Sequence, residues 1–115
     1  GEREWAAWMR EKWGLNCTRG QQRSGLEEQD VIGHIEGTHC EVKRCEHVRL
    51  DAWMEQAVRD AKGKIPWLAH RRNRQQWMIT LRAEDLERFA LSLLLTLDTV
   101  TRSNVSASVA ESSGS

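Results

Sequence analysis

Residues 30–45 read DVIGHIEGTHCEVKRC. This stretch holds two runs with the composition of β-strands, Asp30 to Ile35 and Thr38 to Cys45, around the dipeptide Glu36-Gly37. Strand-like runs joined by a short glycine-containing dipeptide are typical of a β-hairpin. Because side chains alternate between the two faces of a strand, Glu41 and Lys43 share one face of the second run.

This hairpin predicts that three polar groups meet. If Glu36-Gly37 is a two-residue turn, Asp30 lies opposite Lys43 and Ile32 lies opposite Glu41. Directly opposed residues project to the same side of a sheet. Asp30, Glu41 and Lys43 therefore converge on one patch, in a region where a strand should bury apolar side chains.

The rest of the chain alternates between helical and strand-like patterns. Apolar residues at helical spacing predict helices over residues 2–13, 50–62 and 83–97. Strand patterns appear over residues 15–19, 65–70 and 77–82. Pro66 is expected at a strand start or edge, because proline cannot donate a ladder hydrogen bond. The order α-β-β-β-α-β-β-α predicts an α/β fold with one mixed sheet flanked by helices.

Each predicted helix has an apolar stripe that should face the sheet. The expected inward residues are Trp5, Ala6, Met9 and Trp13, then Leu50, Trp53, Met54, Ala57, Val58 and Ala61, and finally Leu86, Phe89, Ala90, Leu93 and Leu97. Trp8 lies off the first stripe and is predicted to be an exposed aromatic, suited to a dimer contact. From Asp98 onward the chain is rich in Ser, Val and Ala, which predicts a folded domain over residues 1–97 and a loose, flexible tail over residues 98–115.

Composition limits the classes of protein that the chain can be. Its 115 residues suffice for one domain, and 39% hydrophobic with 30% charged residues is typical of a globular protein. The longest apolar run, Phe89 to Leu95, is too short to cross a bilayer, so no membrane partner is expected. Three cysteines without framework spacing favour a reducing cytoplasm. The net charge is formally zero, so total charge gives no prediction of nucleic-acid binding.

A third carboxylate is predicted to join the patch. Glu2 falls on the same helical stripe as Trp5 and Met9, the face expected to pack on the sheet. Three neighbouring carboxylates repel one another unless a cation neutralises them, and their hard oxygen ligands suit Mg²⁺ or Mn²⁺. Each residue also has a purely structural interpretation. An E-x-K pair on a strand is commonly a solvated ion pair, Glu2 favours the helix dipole, and Asp30 is a common turn residue.

In its order of motifs the sequence resembles the PD-(D/E)xK nucleases, and more closely the archaeal-type Holliday junction resolvases and their phage relatives. The resemblance covers the chain to about residue 90. It is carried by Glu2-Arg3-Glu4, the loop Arg19-Gly20-Gln21-Gln22-Arg23-Ser24-Gly25, Asp30-Val31-Ile32-Gly33, Glu41-Val42-Lys43-Arg44, Glu55-Gln56-Ala57, Lys64-Ile65-Pro66, His70-Arg71-Arg72-Asn73 and the strand from Trp77. One position departs from the motif, because Gln29 stands where the proline usually precedes the aspartate.

The resemblance implies a restriction-endonuclease-like fold and a homodimer that cuts the two symmetric strands of a four-way DNA junction with Mg²⁺ or Mn²⁺. It assigns metal binding to Glu2, Asp30, Glu41 and the Val42 carbonyl. Lys43 matches the catalytic lysine, Ser24 matches a loop serine near the scissile phosphate, and Gln56 matches a helical glutamine near the site. The residues expected to contact DNA phosphates are Arg19, Arg23, Arg44, Arg71, Arg72 and Arg74.

Three alternatives stay open on the sequence alone. The first is a PD-(D/E)xK nicking or end-processing nuclease with less structure selectivity, and the second is a DNA-binding module of the same fold that does not cut. The third, a protein-interaction domain, rests only on the apolar last helix.

A zinc site at His39, Cys40, Cys45 and His47 is disfavoured, because His39 and Cys40 face opposite ways on a strand and no C-x-x-C pair is present.

Overall fold

The structure is a computed structural model that describes residues 1–15 and 35–113, with side chains described as far as residue 103. Its elements in chain order are the helix α1 (Glu2–Trp13), the strand β1 (Thr38–Arg44), the helix α2 (Leu50–Ala61), the strands β2 (Ile65–Arg71) and β3 (Met78–Leu81), a 3-10 turn (Ala83–Asp85) and the helix α3 (Leu86–Ser113). No helix in these ranges is long and apolar enough to cross a membrane.

The described strands form one mixed sheet in the order β1-β2-β3. β1 and β2 are parallel, with Glu41 beside Leu68 and Lys43 beside His70. β3 is antiparallel to β2 and pairs from Trp67 onward. Pro66 is the second residue of β2 and precedes the pairing with β3, as its missing N–H requires. The predicted mixed sheet flanked by helices is therefore confirmed and is compatible with a restriction-endonuclease-like fold.

The turn before β1 has the predicted position. Glu36 and Gly37 form a turn closed by a 3.2 Å hydrogen bond from the Thr38 N–H to the Ile35 carbonyl, and Gly37 has a φ of 77°. The Glu36 N–H also donates to Thr96 Oγ1 on α3 at 3.3 Å. The predicted strands at residues 15–19 and 30–35, and with them the pairing of Asp30 with Lys43, lie outside the described residues apart from the buried Leu15 and Ile35.

Alternating side chains divide the core into two layers around β2. Trp67 and Ala69 pack on one side with Trp5 and Met9 of α1 and Phe89 of α3. Leu68 packs on the other side with Trp53 and Ala57 of α2. We call these layers the α1 side and the α2 side of the sheet. Because β2 is covered on both sides, Ile65 to His70 are all buried.

Several predicted inward residues are exposed instead. In α2, Leu50 and Val58 are 37% and 39% exposed, because the helix meets the sheet through Trp53, Ala57 and Ala61. In α3, Leu86 and Ala90 are exposed, and the inward contacts come from Phe89, Leu93 and Leu97. Trp8, by contrast, is more buried than predicted. It is half-buried and stacks on Trp5 with ring centroids 5.0 Å apart, so the prediction of an exposed aromatic is wrong.

The last helix does not end at Leu97. α3 continues to Ser113, so the predicted end of this helix at Leu97 is wrong. The physical reason is local, since this stretch has no glycine or proline before Gly114, and an ion pair of 2.8 Å joins Asp98 to Arg102 one turn later. The division of the chain into a domain and a tail at residue 97 stays a prediction.

The start of α3 is held by a buried acid. Asp85 is 1% exposed and accepts hydrogen bonds from Arg82 and Arg88 at 2.8 and 2.7 Å. Burial by itself would raise the pKa of Asp85, but the hydrogen bonds and charges of the two arginines outweigh burial, and the pKa lies below its usual value. Asp85 is therefore ionised at neutral pH and anchors the junction between β3 and α3.

Candidate functional site

The predicted E-x-K pair lies on the α2 side of β1. Lys43 Nζ donates a 3.0 Å hydrogen bond to Gln56 Oε1 of α2. Two residues earlier on the same face, Glu41 Oε2 lies 2.8 Å from Nε2 of His39. Glu41 and Lys43 therefore share one face, as strand alternation predicts, and α2 packs over that face.

β1 and α2 have similar spacings between successive residues of one face, and this brings further polar groups next to Glu41 and Lys43. Alternate residues of a strand are about 6.6 Å apart, and residues four apart on a helix are about 6 Å apart along its axis. α2 runs antiparallel to β1, so that Gln56 reaches Lys43 and Asp60, one turn later, reaches the earlier pair. The ligand atoms of His39, Glu41 and Asp60 all lie within 4.8 Å of one another.

These side chains line a half-buried surface. The side chain of Glu41 is 15% exposed and that of His39 is 30% exposed, whereas Asp60 is exposed. The carboxylate of Glu41 is thus shielded enough for charge interactions to be stronger than in bulk water, and still reachable from solvent. Such a carboxylate can serve as a cation ligand.

A buried histidine borders the lysine. His70 lies beside Lys43 in the parallel register, donates to or accepts from Thr80 Oγ1 at 2.9 Å and packs against Trp53. Burial lowers the pKa of His70, so its ring is neutral near neutral pH. His70 therefore adds no positive charge beside Lys43.

Among the residues that the structure describes, no comparable group lies on the other face of β1. Cys40 packs against the core that contains Trp5, and burial raises the pKa of its thiol, which the charges of Glu41 and Glu2 raise further. A protonated, buried thiol is a poor metal ligand. His39 and Cys40 thus face opposite ways, in agreement with the argument against a zinc site.

Of the other predicted metal ligands, the structure describes Glu2 and Val42 but not Asp30. Glu2 is exposed at the start of α1 and does not belong to the group formed by His39, Glu41 and Asp60. Val42 is half-buried, with its side chain on the α1 side near Gly1. Asp30 lies outside the described residues, as do the predicted site residues Ser24, Arg19 and Arg23. The predicted convergence of Glu2 and Asp30 on Glu41 stays a prediction.

Two of the predicted DNA-binding arginines lie on the α1 side. Arg44 Nε is 3.1 Å and Arg71 Nη2 is 3.7 Å from the carboxylate of Glu4 on α1. Arg44 also donates to Asn73 Oδ1 at 2.8 Å, and the guanidinium of Arg71 lies 5.6 Å from the ring centroid of Trp77. Both cations are thus held near the carboxyl ends of β1 and β2.

The connection between β2 and β3 begins one residue later than the predicted strand over residues 65–70 implies. Arg71 is the last residue of β2, and residues 72–77 connect β2 to β3. Arg72 and Arg74 in this connection are exposed, and Arg74 has a φ of 62°. The exposed pair is therefore free of the constraint that Glu4 places on Arg71.

His39 and Asp60 are two residues of the site that the sequence patterns did not predict. His39 could have been found, because it lies two residues before Glu41 and strand alternation places it on the same face. Asp60 could not, since its approach depends on how α2 packs on the sheet. Gln56, which lies off the predicted apolar stripe, reaches Lys43 for the same reason.

The chain matches a known protein family. The model of a family described as "Phage putative PDDEXK endonuclease" matches residues 1–111. The match spans nearly the whole chain and includes every predicted site residue. No curated protein and no solved structure matches the chain significantly.

Proposed function

Since the chain belongs to the phage putative PDDEXK endonuclease family, we propose that it is a divalent-metal-dependent endonuclease that hydrolyses DNA phosphodiesters at branched DNA, as a Holliday junction resolvase acting in the cytoplasm of the phage-infected cell. The observation that supports this most directly is the face of β1 on which Glu41 and Lys43 lie, with Lys43 bonded to Gln56. A binding module that does not cut has no need for an acid and a held lysine at this spacing.

The donor set suits a hard divalent cation. Carboxylate and carbonyl oxygens are the ligands that Mg²⁺ and Mn²⁺ prefer, and the carboxylates of Glu2, Asp30 and Glu41 with the Val42 carbonyl would supply them. When bound, such an ion polarises the phosphodiester and lowers the pKa of a coordinated water. We take Mg²⁺ as the cation of the reaction, with Mn²⁺ as its substitute.

The chain's own residues would act around that cation. Lys43 presents a positive charge to the phosphate oxygens, where negative charge develops during hydrolysis. Gln56 uses one of the three ammonium donors and thereby fixes the position of Nζ while the other two stay available. Ser24 and the arginines Arg19, Arg23, Arg72 and Arg74 would hold the DNA backbone, with Arg44 and Arg71 at the edge of the contact.

A cleavage assay on several DNA structures tests this proposal. The protein is incubated in Mg²⁺ with a four-way junction, a fork, a linear duplex and a single strand. We expect paired, symmetric nicks confined to the junction. Cutting of every substrate would support the alternative of a less selective nicking or end-processing nuclease. Junction binding without any cutting in Mg²⁺ or Mn²⁺ would leave only the DNA-binding module.

We further propose that the protein acts as a homodimer, because two cuts across a junction need two active sites related by a two-fold axis. α3 supports this with an apolar stripe in which Leu91, Leu94 and Leu95 are 58%, 62% and 66% exposed. Large exposed apolar side chains at helical spacing are typical of a helix that packs against a partner.

The mass in solution tests the dimer. Light scattering should give twice the chain mass for the natural protein and a monomer for Leu94→Glu, because a buried carboxylate without a partner opposes association. Ala52→Glu, which adds the same side chain to an exposed position of α2, should stay dimeric. A natural protein that is monomeric at all concentrations would contradict the proposal.

A further inference from the structure

His39 and Asp60 are not assigned to any function by the family motif, yet both lie next to its acid. His39 Nε2 is 2.8 Å from Glu41 Oε2. Asp60 approaches from α2, and one ligand atom from each of the three residues lies within 4.8 Å of the other two. This is the one group of three potential metal-ligating side chains with this spacing in residues 1–15 and 35–103.

The spacing is close to that of a coordination sphere. Two ligands at right angles, each about 2.1 Å from a cation, are about 3 Å apart, and two ligands on opposite sides are about 4.2 Å apart. The 2.8 Å separation of the His39 and Glu41 atoms agrees with the first value. A cation can thus replace the hydrogen bond between these two side chains after small changes of their rotamers.

Electrostatics favours an ion there. Glu41 and Asp60 are two carboxylates within 4.8 Å of each other, and they repel one another when both are ionised. Lys43, which shares this face of β1, donates its hydrogen bond to Gln56. A divalent cation between the two carboxylates neutralises the pair and accepts the imidazole as a third ligand.

We propose that His39, Glu41 and Asp60 form a second cation position, beside the one assigned to Glu41 and Asp30, that selects transition ions over Mg²⁺. Mg²⁺ prefers oxygen ligands, whereas an imidazole nitrogen suits the divalent ions of the transition series. Glu41 would be a ligand at both positions, and a second ion there would supply further charge stabilisation to the phosphate. The role of this ion in cleavage rests on the proposed function, whereas its binding does not.

Pulsed EPR of bound Mn²⁺ tests the inference. The protein is given excess Mg²⁺ to fill oxygen-only sites and then a substoichiometric amount of Mn²⁺. The spectrum of the natural chain should show ¹⁴N modulation from a directly bound imidazole. This modulation should be lost in His39→Gln and kept in His47→Gln, since His47 is exposed and outside the group. Asp60→Asn should weaken Mn²⁺ binding at least about tenfold.

The outcomes separate the inference from the proposed function. Bound Mn²⁺ without ¹⁴N modulation, or modulation that survives His39→Gln, overturns the second cation position. If the natural protein also cuts junctions in Mg²⁺, the proposed function stands while this inference fails. If ¹⁴N modulation depends on His39 but no DNA is cut, the inference stands and the proposed function fails.

Discussion

Replacing Glu41 with alanine is expected to lower the rate of DNA cleavage by about a thousandfold or more. The carboxylate is the acid of the E-x-K pair and the proposed cation ligand, and loss of such a ligand forfeits several kcal/mol of charge stabilisation in the transition state. Lys43→Ala should lower the rate about a hundredfold to a thousandfold, as the loss of one stabilising donor does. Single-turnover cleavage of a labelled junction in Mg²⁺ measures both.

Two comparisons make this expectation specific to the site. Gln56→Ala leaves both charged groups in place and removes the bond that holds Lys43, so its effect should be smaller, about tenfold to a hundredfold. Glu55→Ala removes an exposed carboxylate of the same helix and should cut normally. All variants should still bind the junction in the absence of Mg²⁺. Cleavage at the natural rate by Glu41→Ala would refute the assignment of the site to this face of β1.

Trp67→Ala is expected to destabilise the fold by about 3–5 kcal/mol. Trp67 is fully buried in β2, and its ring makes edge contacts with Trp5 and Phe89 at centroid distances of 5.9 and 5.0 Å. Its Nε1–H donates to Thr38 Oγ1 at 2.9 Å. Alanine therefore removes contacts to α1 and α3 together with a buried hydrogen bond. Urea denaturation followed by far-ultraviolet circular dichroism gives the free energy of unfolding.

A smaller effect should accompany replacement of a tryptophan at the rim of the same cluster. Trp8 is half-buried and stacks on Trp5 from outside, so Trp8→Ala leaves a site that solvent can fill. A loss of stability in Trp8→Ala that equals or exceeds that in Trp67→Ala would contradict the two-layer core. Since the stability of a domain of this size is about 5–15 kcal/mol, the Trp67 variant should lose a large part of it.

Trp67 and Glu41 lie on opposite sides of one sheet. Trp67 belongs to the α1 side, where α1 and α3 close the core, and Glu41 lies on the α2 side, where α2 brings polar residues to the strand. β1 and β2 are parallel, with Glu41 beside Leu68. Side chains therefore alternate between the α1 side and the α2 side in the same order on both strands. The core on one side thus fixes the strand that presents the site on the other.

Sequence patterns predicted the described elements well where the signal was periodic. The positions of α1, α2, β2 and β3 agree with the apolar spacing to within one or two residues. The errors arose where the spacing of residues along one element did not show how the rest of the fold packs against that element. Leu50 and Val58 fit an apolar stripe on α2 but face solvent, because the helix rests on the sheet through a narrower strip. α3 continues past Asp98, where no glycine or proline interrupts residues 98–113 and Asp98 pairs with Arg102 one turn later.

That Glu41 and Lys43 share a face follows from the sequence alone, because alternation along a strand is a local property of the backbone. The order of the motifs likewise identified the family. The packing of α2 over this face is a feature of the tertiary structure, and it brings Gln56 to Lys43 and Asp60 to His39 and Glu41. The tertiary structure also holds Arg44 and Arg71 beside Glu4 on the α1 side. The physical reason is that local geometry fixes directions within one element, whereas contacts between elements depend on which surfaces the whole chain buries together.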